Sequence, residues 1–225
     1  MALSDLFKFG SYNLFPDSYA VDRATLYRLF QSTLSQQLSQ SKTVILALHF
    51  PAEFFAVQDL LAQWEIEYDL IGRALDPQWF QDNKAAASGQ AGHLYLSLAE
   101  FLIDTKFSGD ESWEAPLSLM MLDRHPLLSK DEAVAQFADR FPSRAEIGYF
   151  LSFEDDVVTR LIDKRMLDLL LQMGAHDHGL IASSMLSKRL RKMQKKAAET
   201  FPAQPQTADS ASRWYELNTP GTRSQ

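Results

Sequence analysis

A few short groups of residues in this chain have side chains able to do chemistry. Asp123-Arg124-His125 places a carboxylate, a guanidinium and an imidazole in consecutive positions. Further on, Glu154-Asp155-Asp156 closes the apolar stretch Gly148-Tyr149-Phe150-Leu151-Ser152-Phe153. Adjacent carboxylates can hold a metal or exchange protons, but at the start of a helix they more simply complement its dipole. Asp131-Glu132-Ala133-Val134 has the outline of a Walker-B box, whose acids a buried strand presents to Mg²⁺. Here it follows Pro126-Leu127-Leu128-Ser129-Lys130, and Ser129-x-x-Glu132 predicts a helix-capping box instead. His176-Asp177-His178 has metal-ligand types without a third ligand at suitable spacing, so it reads as a solvated loop after Gly174 and no metal is expected. His125, taken alone, reads as a hydrogen-bonded structural histidine.

A stand-alone NTPase needs a phosphate-cradling loop of the form G-x-x-x-x-G-K-[ST]. None of the nine glycines is followed by lysine, and the G-x-G-x-x-G dinucleotide fingerprint is also missing. The chain therefore carries no recognisable phosphate-binding element of its own.

The elements that must position these groups follow from apolar patterning. Thr43-Val44-Ile45-Leu46-Ala47-Leu48-His49-Phe50 is nearly continuous apolar sequence, as in a strand covered on both faces. Further strands are expected at 67–71, 93–98, 116–122 and 148–153. Helices are expected at 23–38, from Pro51 to Trp64, and at 77–87, 129–140 and 155–172. This alternation predicts an α/β fold with a mostly parallel sheet and helices on both faces. Beyond Gly174, Leu186, Leu190, Met193 and Ala197 form one stripe of an amphipathic helix. Its other faces carry Lys188, Arg189, Arg191, Lys192, Lys195 and Lys196. The leading expectation is that the stripe packs on the fold while the charges face water; contact with anionic lipid ranks second. Residues 201–225, rich in Pro, Gln, Thr and Ser, read as a flexible tail with Trp214-Tyr215 as its one docking pair.

With 225 residues, 46% apolar and 12% aromatic, the chain can bury one good core. Its 29 acids against 22 bases give a net charge of −7, a poor match to generic nucleic-acid binding. There is no cysteine, which excludes disulfides. Met1 to Gly10 lacks the pattern of a secretory signal, and no apolar run is long enough to span a bilayer. The expected location is cytoplasmic, with a peripheral position at the inner membrane as a further option.

In combination these stretches resemble the second nucleotide-binding domain of SecA, the motor ATPase of bacterial preprotein translocation. In that family an ERH-type triplet and an F-Y-L-S-x-E-D-D strand end bracket an arginine- and glycine-rich loop that completes the ATP site. Asp123-Arg124-His125 and Gly148 to Asp156 look like that bracket. Pro16-Asp17-Ser18-Tyr19 looks like the P-D-x-x-Y stretch where the family chain leaves its first domain. Val44 to Leu61 and Ile66 to Ile71 are similar to the first strand, helix and second strand of the second domain. Leu171-Gln172-Met173-Gly174 and Ser187-Lys188 to Lys196 look like the L-G-M segment and the start of the long scaffold helix.

The resemblance implies a RecA-like domain over 16–173, preceded by an N-terminal segment (1–15) and followed by the start of a helical scaffold (174–200). It also implies a site remnant of Arg124, His125 and Arg140. The family's T-N-M-A-G-R-G-T-D run corresponds to the neighbourhood of Ser97 to Leu102, where neither glycine nor arginine remains. Counting back from Phe150, the arginines of the Q-L-R-G-R-A-G-R-Q-G-D loop fall on Ala135, Phe137 and Arg140, its two glycines on Gln136 and Asp139, and its leading glutamine on Ala133. Phe137 at a phosphate-facing position is expected to close space that nucleotide needs. An arginine finger is worth about 10³–10⁵ in turnover, so ATPase activity is expected to be lost.

Three functions follow as expectations. The first is a SecA-like accessory or pseudo-motor protein: a non-catalytic module, without cofactor, that binds SecA, a preprotein or another protein. Phe54, Phe55, Trp64, Trp79 and Phe80 are its candidate surface anchors. The second is an ATPase subunit that supplies Arg140 in trans to a separate phosphate-loop domain, with ATP as ligand. The third, a nucleic-acid helicase fragment, is opposed by the acidic charge.

Overall fold

The computed structural model describes residues 8–9, 12–83, 86, 88, 92–165, 168 and 179–219. Chain order runs β1 (Lys8–Phe9), β2 (Tyr12–Leu14), β3 (Ser18–Ala20), α1 (Arg23–Ser39), β4 (Thr43–Leu48), α2 (Pro51–Gln63), β5 (Asp69–Ile71), α3 (Pro77–Asp82) and β6 (His93–Leu98). It continues through α4 (Ala99–Ile103), β7 (Leu117–Met121), α5 (Leu128–Arg140), β8 (Ala145–Ser152), α6 (Asp156–Leu161), β9 (Ile181–Ala182), α7 (Ser184–Ala198) and α8 (Ala211–Asn218).

The sheet is ordered β5-β6-β4-β7-β8, with those five strands all parallel. On the far side of β8, β2 and β3 pair in parallel with its first and second halves. The short strands β1 and β9 add antiparallel pairs to β2 and β3. This is the expected α/β architecture, consistent with a RecA-like domain.

Period-two alternation divides each central strand between two helical layers. Val44, Leu46 and Leu48 of β4 face the layer that includes Leu26, Phe30 and Leu34 of α1 and Val57 and Leu61 of α2. Ile45 and Ala47 face α3 to α5, including Leu102, Val134 and Phe137. Every residue of β4 is buried, which explains its unbroken apolar sequence. Asp22 caps α1, accepting from Thr25 N at 2.6 Å. Pro51 begins α2, where its missing N–H leaves no donor unpaired.

The observed elements refine several expectations. Helix α3 breaks after Asp82 and α6 after Leu161, with helical residues recurring at Ala86 and at Lys164, Arg165 and Asp168 inside the expected spans. His176-Asp177-His178 and Leu171 to Gly174 lie outside the described residues. The largest correction concerns the C-terminal segment. Residues 201–219, expected within a flexible tail, carry α8 and pack it against the body, with Trp214 only 2% exposed. Ser210 caps the helix, and Asn218 donates to the Gln206 carbonyl while accepting from Gln206 N. The aromatic pair outweighs the polar composition around it.

Candidate functional site

Strand β4 feeds a helix on one face of the sheet and its neighbour β7 feeds α5 on the other. Their carboxyl ends therefore frame a topological switch point, the place where open α/β sheets usually hold ligands. His49 and Phe50 follow β4, and Asp123, Arg124 and His125 follow β7. Two of the expected remnant residues, Arg124 and His125, thus lie in the crevice.

Arg124 is the centre of a buried network. Its Nε and Nη2 donate to the two carboxylate oxygens of Asp17 at 3.0 and 2.6 Å, and Nη1 donates to Asp131 Oδ2 at 2.7 Å. The side chains of Arg124, Asp17 and Asp131 are all 1% exposed or less. The guanidinium carbon lies 3.7 Å from the centre of the Tyr149 ring. Burial opposes the Arg124 charge, but Asp17 and Asp131 hold it well above its ordinary pKa. Burial also pushes the Asp131 carboxyl up. Arg124, His49 and Gln194 outweigh that effect and hold it well below the carboxylate range.

Every atom of the Asp131 carboxylate is engaged. Oδ1 accepts from His49 Nε2 at 2.9 Å and His125 N at 3.1 Å, and Oδ2 accepts from Gln194 Nε2 at 2.8 Å. The capping-box expectation fails here. Helix α5 starts one residue before Ser129, its N-cap is Leu127 without a side-chain cap bond, and Asp131 points inward as the second acid on Arg124. An Asp in a first helical turn looks the same whether it faces water or a buried cation. A helix-dipole argument alone could not tell the two apart.

His125 accepts from Leu127 N through Nδ1 at 3.0 Å, stacks on Phe50, and meets Trp214 and His49 edge-on. Burial, with His49 beside it, pushes its imidazole down to about 3, so the ring is neutral. Asp123 accepts from His49 N with both oxygens, at 3.0 and 2.8 Å, and burial pushes its carboxyl up to about 7.

These groups fill the crevice. The space left beside Phe50, Glu53, Asp123, Arg124 and Asp155 is about 30 Å³. That holds a water molecule, whereas small-molecule sites occupy about 300–1,000 Å³. Helix α7 roofs the network through Gln194, which also donates to the His125 carbonyl at 2.7 Å. Its buried Leu186 and Leu190 join α6 and α8 in one apolar cluster. The expected stripe is therefore buried against the fold, with Lys188, Arg189, Lys192, Lys195 and Lys196 exposed. Arg191 pairs with Glu132 at 3.5 Å and Arg189 with Asp163 at 3.7 Å. The apolar stripe of α7 is thus taken up by the fold, and Met185, 58% exposed, is the large apolar side chain it leaves outside. Among the described residues, no helix is long and apolar enough to cross a membrane.

Arg140 does not join this group. It lies nine residues beyond Asp131 along α5, about 13 Å at the helical rise, over the Phe107 ring and donating to the Gln136 carbonyl. Phe137 corrects a second expectation. It is fully buried against Phe107 and Phe141 on the sheet side of α5, so it fills the core and not a ligand space. Ala135, Gln136 and Asp139 instead line an open cleft of about 660 Å³ between α5, α7 and the Leu14–Asp17 segment, with Arg124 of the buried network at its wall. Glu154 and Asp155 tie down the start of α1, accepting from Arg23 N at 3.1 Å and Arg23 Nε at 3.2 Å. Burial pushes the Asp155 carboxyl up to about 6. Among the described residues, no group of three or more His, Asp or Glu is arranged to hold a metal ion. Of the candidate anchors, Phe80 is buried and Phe55 is 63% exposed.

Asp17, Asp131, His49 and Gln194 escaped sequence reasoning as site residues. The available signal was the buried Arg124 itself, since a guanidinium inside a fold requires carboxylates. No protein-family model matches the chain, and no curated protein matches it.

Proposed function

We propose that this chain is a SecA-like accessory or pseudo-motor protein: a degenerate second motor domain that binds a protein partner and does not turn over ATP. One observation carries the reading. The crevice at the carboxyl ends of β4 and β7 is occupied by the Arg124–Asp17–Asp131 network and roofed by α7 and α8, leaving about 30 Å³ on its Asp123 side, while the guanidinium that borders the open cleft of about 660 Å³ on the other side is already saturated by Asp17 and Asp131. A nucleotide-facing guanidinium has to meet developing phosphoryl charge. Arg124 is neutralised by two carboxylates instead, and Arg140 lies at the far end of α5. The Asp123-Arg124-His125 triplet thus works as a structural lock, and the outer surfaces of the domain serve contact. The partner classes are SecA itself, a preprotein segment or an unrelated protein; the exposed basic side of α7 adds electrostatic attraction to an anionic surface, including anionic lipid headgroups.

Two measurements test this. The purified chain should show neither ATP hydrolysis above background nor saturable binding of a fluorescent ATP analogue with Mg²⁺. Clear turnover that is lost in Arg124→Ala would overturn the pseudo-motor reading. Affinity isolation from native cells should recover translocase components. Their absence from repeated isolations under cross-linking would remove the link to translocation.

A further inference from the structure

Strand β5 ends the sheet. It pairs with β6 on one side, and among the described residues no strand pairs with the other. Unpaired backbone N–H and C=O groups along such an edge are a template for another strand. The side chains on it are sorted by face. Leu70 pairs in register with Leu96, whose face carries α1 and α2, and Tyr68 packs on that same layer. Asp69 pairs with Tyr95 on the opposite face and reaches His93 at 2.8 Å. Leu70 is 56% exposed, an uncovered apolar side chain on an open edge. Glu65, Glu67 and Asp69 are exposed at every second position. Beside them a hollow of about 520 Å³ is floored by Leu38, Ile66 and Leu94 and rimmed by Glu67 and Asp69.

We infer that the free edge of β5 is a strand-addition site for an extended partner segment that alternates basic and apolar residues. A strand laid along β5 directs successive side chains to opposite faces. On one face they cover Leu70 and Tyr68. That first face continues into the floor of Leu38, Ile66 and Leu94, and on the other face a Lys or Arg brings its charge against Glu67 and Asp69. Charge decides between occupants: a second copy brings its own Glu67 and Asp69 to the same line, so a basic partner is favoured over self-pairing. The inference stands apart from the pseudo-motor reading. ATP turnover by the chain would leave it untouched, and failure at this edge would leave the filled crevice untouched.

The test uses the full chain and a fluorescent, end-capped peptide of alternating Lys and Val, with binding followed by anisotropy. A Glu/Val peptide and a Lys/Val peptide of the same composition in blocks serve as comparisons. The alternating Lys/Val peptide should bind at least about tenfold tighter than either, and should weaken as salt is raised. It should also slow amide hydrogen exchange at residues 68–71. The double variant Glu67→Lys/Asp69→Lys should reverse the preference in favour of the Glu/Val peptide, a result that a merely unfolded variant cannot give. Leu70→Asp should weaken the Lys/Val peptide roughly tenfold. Equal affinity for the two charge types, or indifference to the double reversal, would overturn the inference. So would a concentration-dependent dimer abolished by Leu70→Asp in a chain that ignores the peptides, because the edge would then belong to a second copy.

Discussion

Arg124→Met tests whether the filled crevice is a structural lock. The substitution keeps much of the side-chain volume over Tyr149 and removes all three charge-assisted hydrogen bonds to Asp17 and Asp131. Two carboxylates are then left in a site that water barely reaches. Removing one partner of a buried ion pair costs about 3–5 kcal/mol, most of it the stranded charge. In a chain of this size that corresponds to a fall in Tm of roughly 6–20 °C. Urea denaturation followed by circular dichroism at pH 7 reads the difference directly. The sign of the pH dependence gives a second check. In the parent, Asp131 is held below the carboxylate range, so its contribution is present above about pH 4 and is lost as pH falls. Without Arg124, burial governs that carboxyl and pushes it up, so the variant should recover stability on mild acidification. Adding Asp17→Asn and Asp131→Asn should restore stability to within about 1–2 kcal/mol, since the amides still accept hydrogen bonds without carrying charge. A loss under about 1 kcal/mol for Arg124→Met, or no rescue by the amides, would refute the reasoning.

Asp123 and His125 act on stability with opposite sign. The Asp123 carboxyl sits at about 7, so its contribution is lost as pH rises from about 4 through 7, by up to about 4 kcal/mol. The His125 ring sits at about 3, so its contribution is present above about pH 6.5 and is lost on acidification. Asp123→Asn should therefore be more stable than the parent at pH 8 and should uncover a steeper loss toward acid; an unchanged pH profile in thermal melts would contradict the assignment. Trp214→Ala should cost about 3–5 kcal/mol, because the ring fills the space between His125 and Phe201, whereas a loose tail would tolerate it without change. Phe137→Arg should prevent soluble expression by burying an unpaired charge, while Ala135→Arg, two residues away on the cleft side, should change stability by less than about 1 kcal/mol. The reverse ranking would mean that α5 is rotated from the orientation described.

The sheet was readable because burial on both faces leaves a simple trace. Strand β4 has no polar residue between Val44 and Leu48, and β6 was bounded correctly at His93 and Leu98. Helix starts were readable where one residue does one job, as Pro51 does. What escaped was everything that depends on contacts distant in sequence. Strands β2 and β3 are three residues each, and nothing local marks them; their partners lie in β8. Asp131 read as part of a helix-capping segment because its reason for being there, Arg124, is visible only after the turn between β7 and α5 folds back. Gln194 sits on the apolar face of α7 among Leu186 and Leu190, where a polar residue breaks the stripe, and it could have been flagged on that ground. The placement of Phe137 needed the helix register: an offset counted as along a loop says nothing of which face of a helix a residue takes, and 128–140 is helical.

The division of β8's outer edge between β2 and β3 has a consequence for how the chain is made. Four steps from Leu14 to Ser18 stand opposite three from Ile147 to Phe150, and the extra residue lets Asp17 turn in toward Arg124. Asp17 N also donates to Ser187 Oγ at 2.8 Å, 170 positions later. Strands β2 and β3 precede their partner β8 by more than about a hundred residues, so these pairings wait until β8 has been made. The Arg124–Asp131 half of the lock spans seven positions and the Asp17 half 107, so closing the loop around Asp17 is the high-contact-order, slower step of the two.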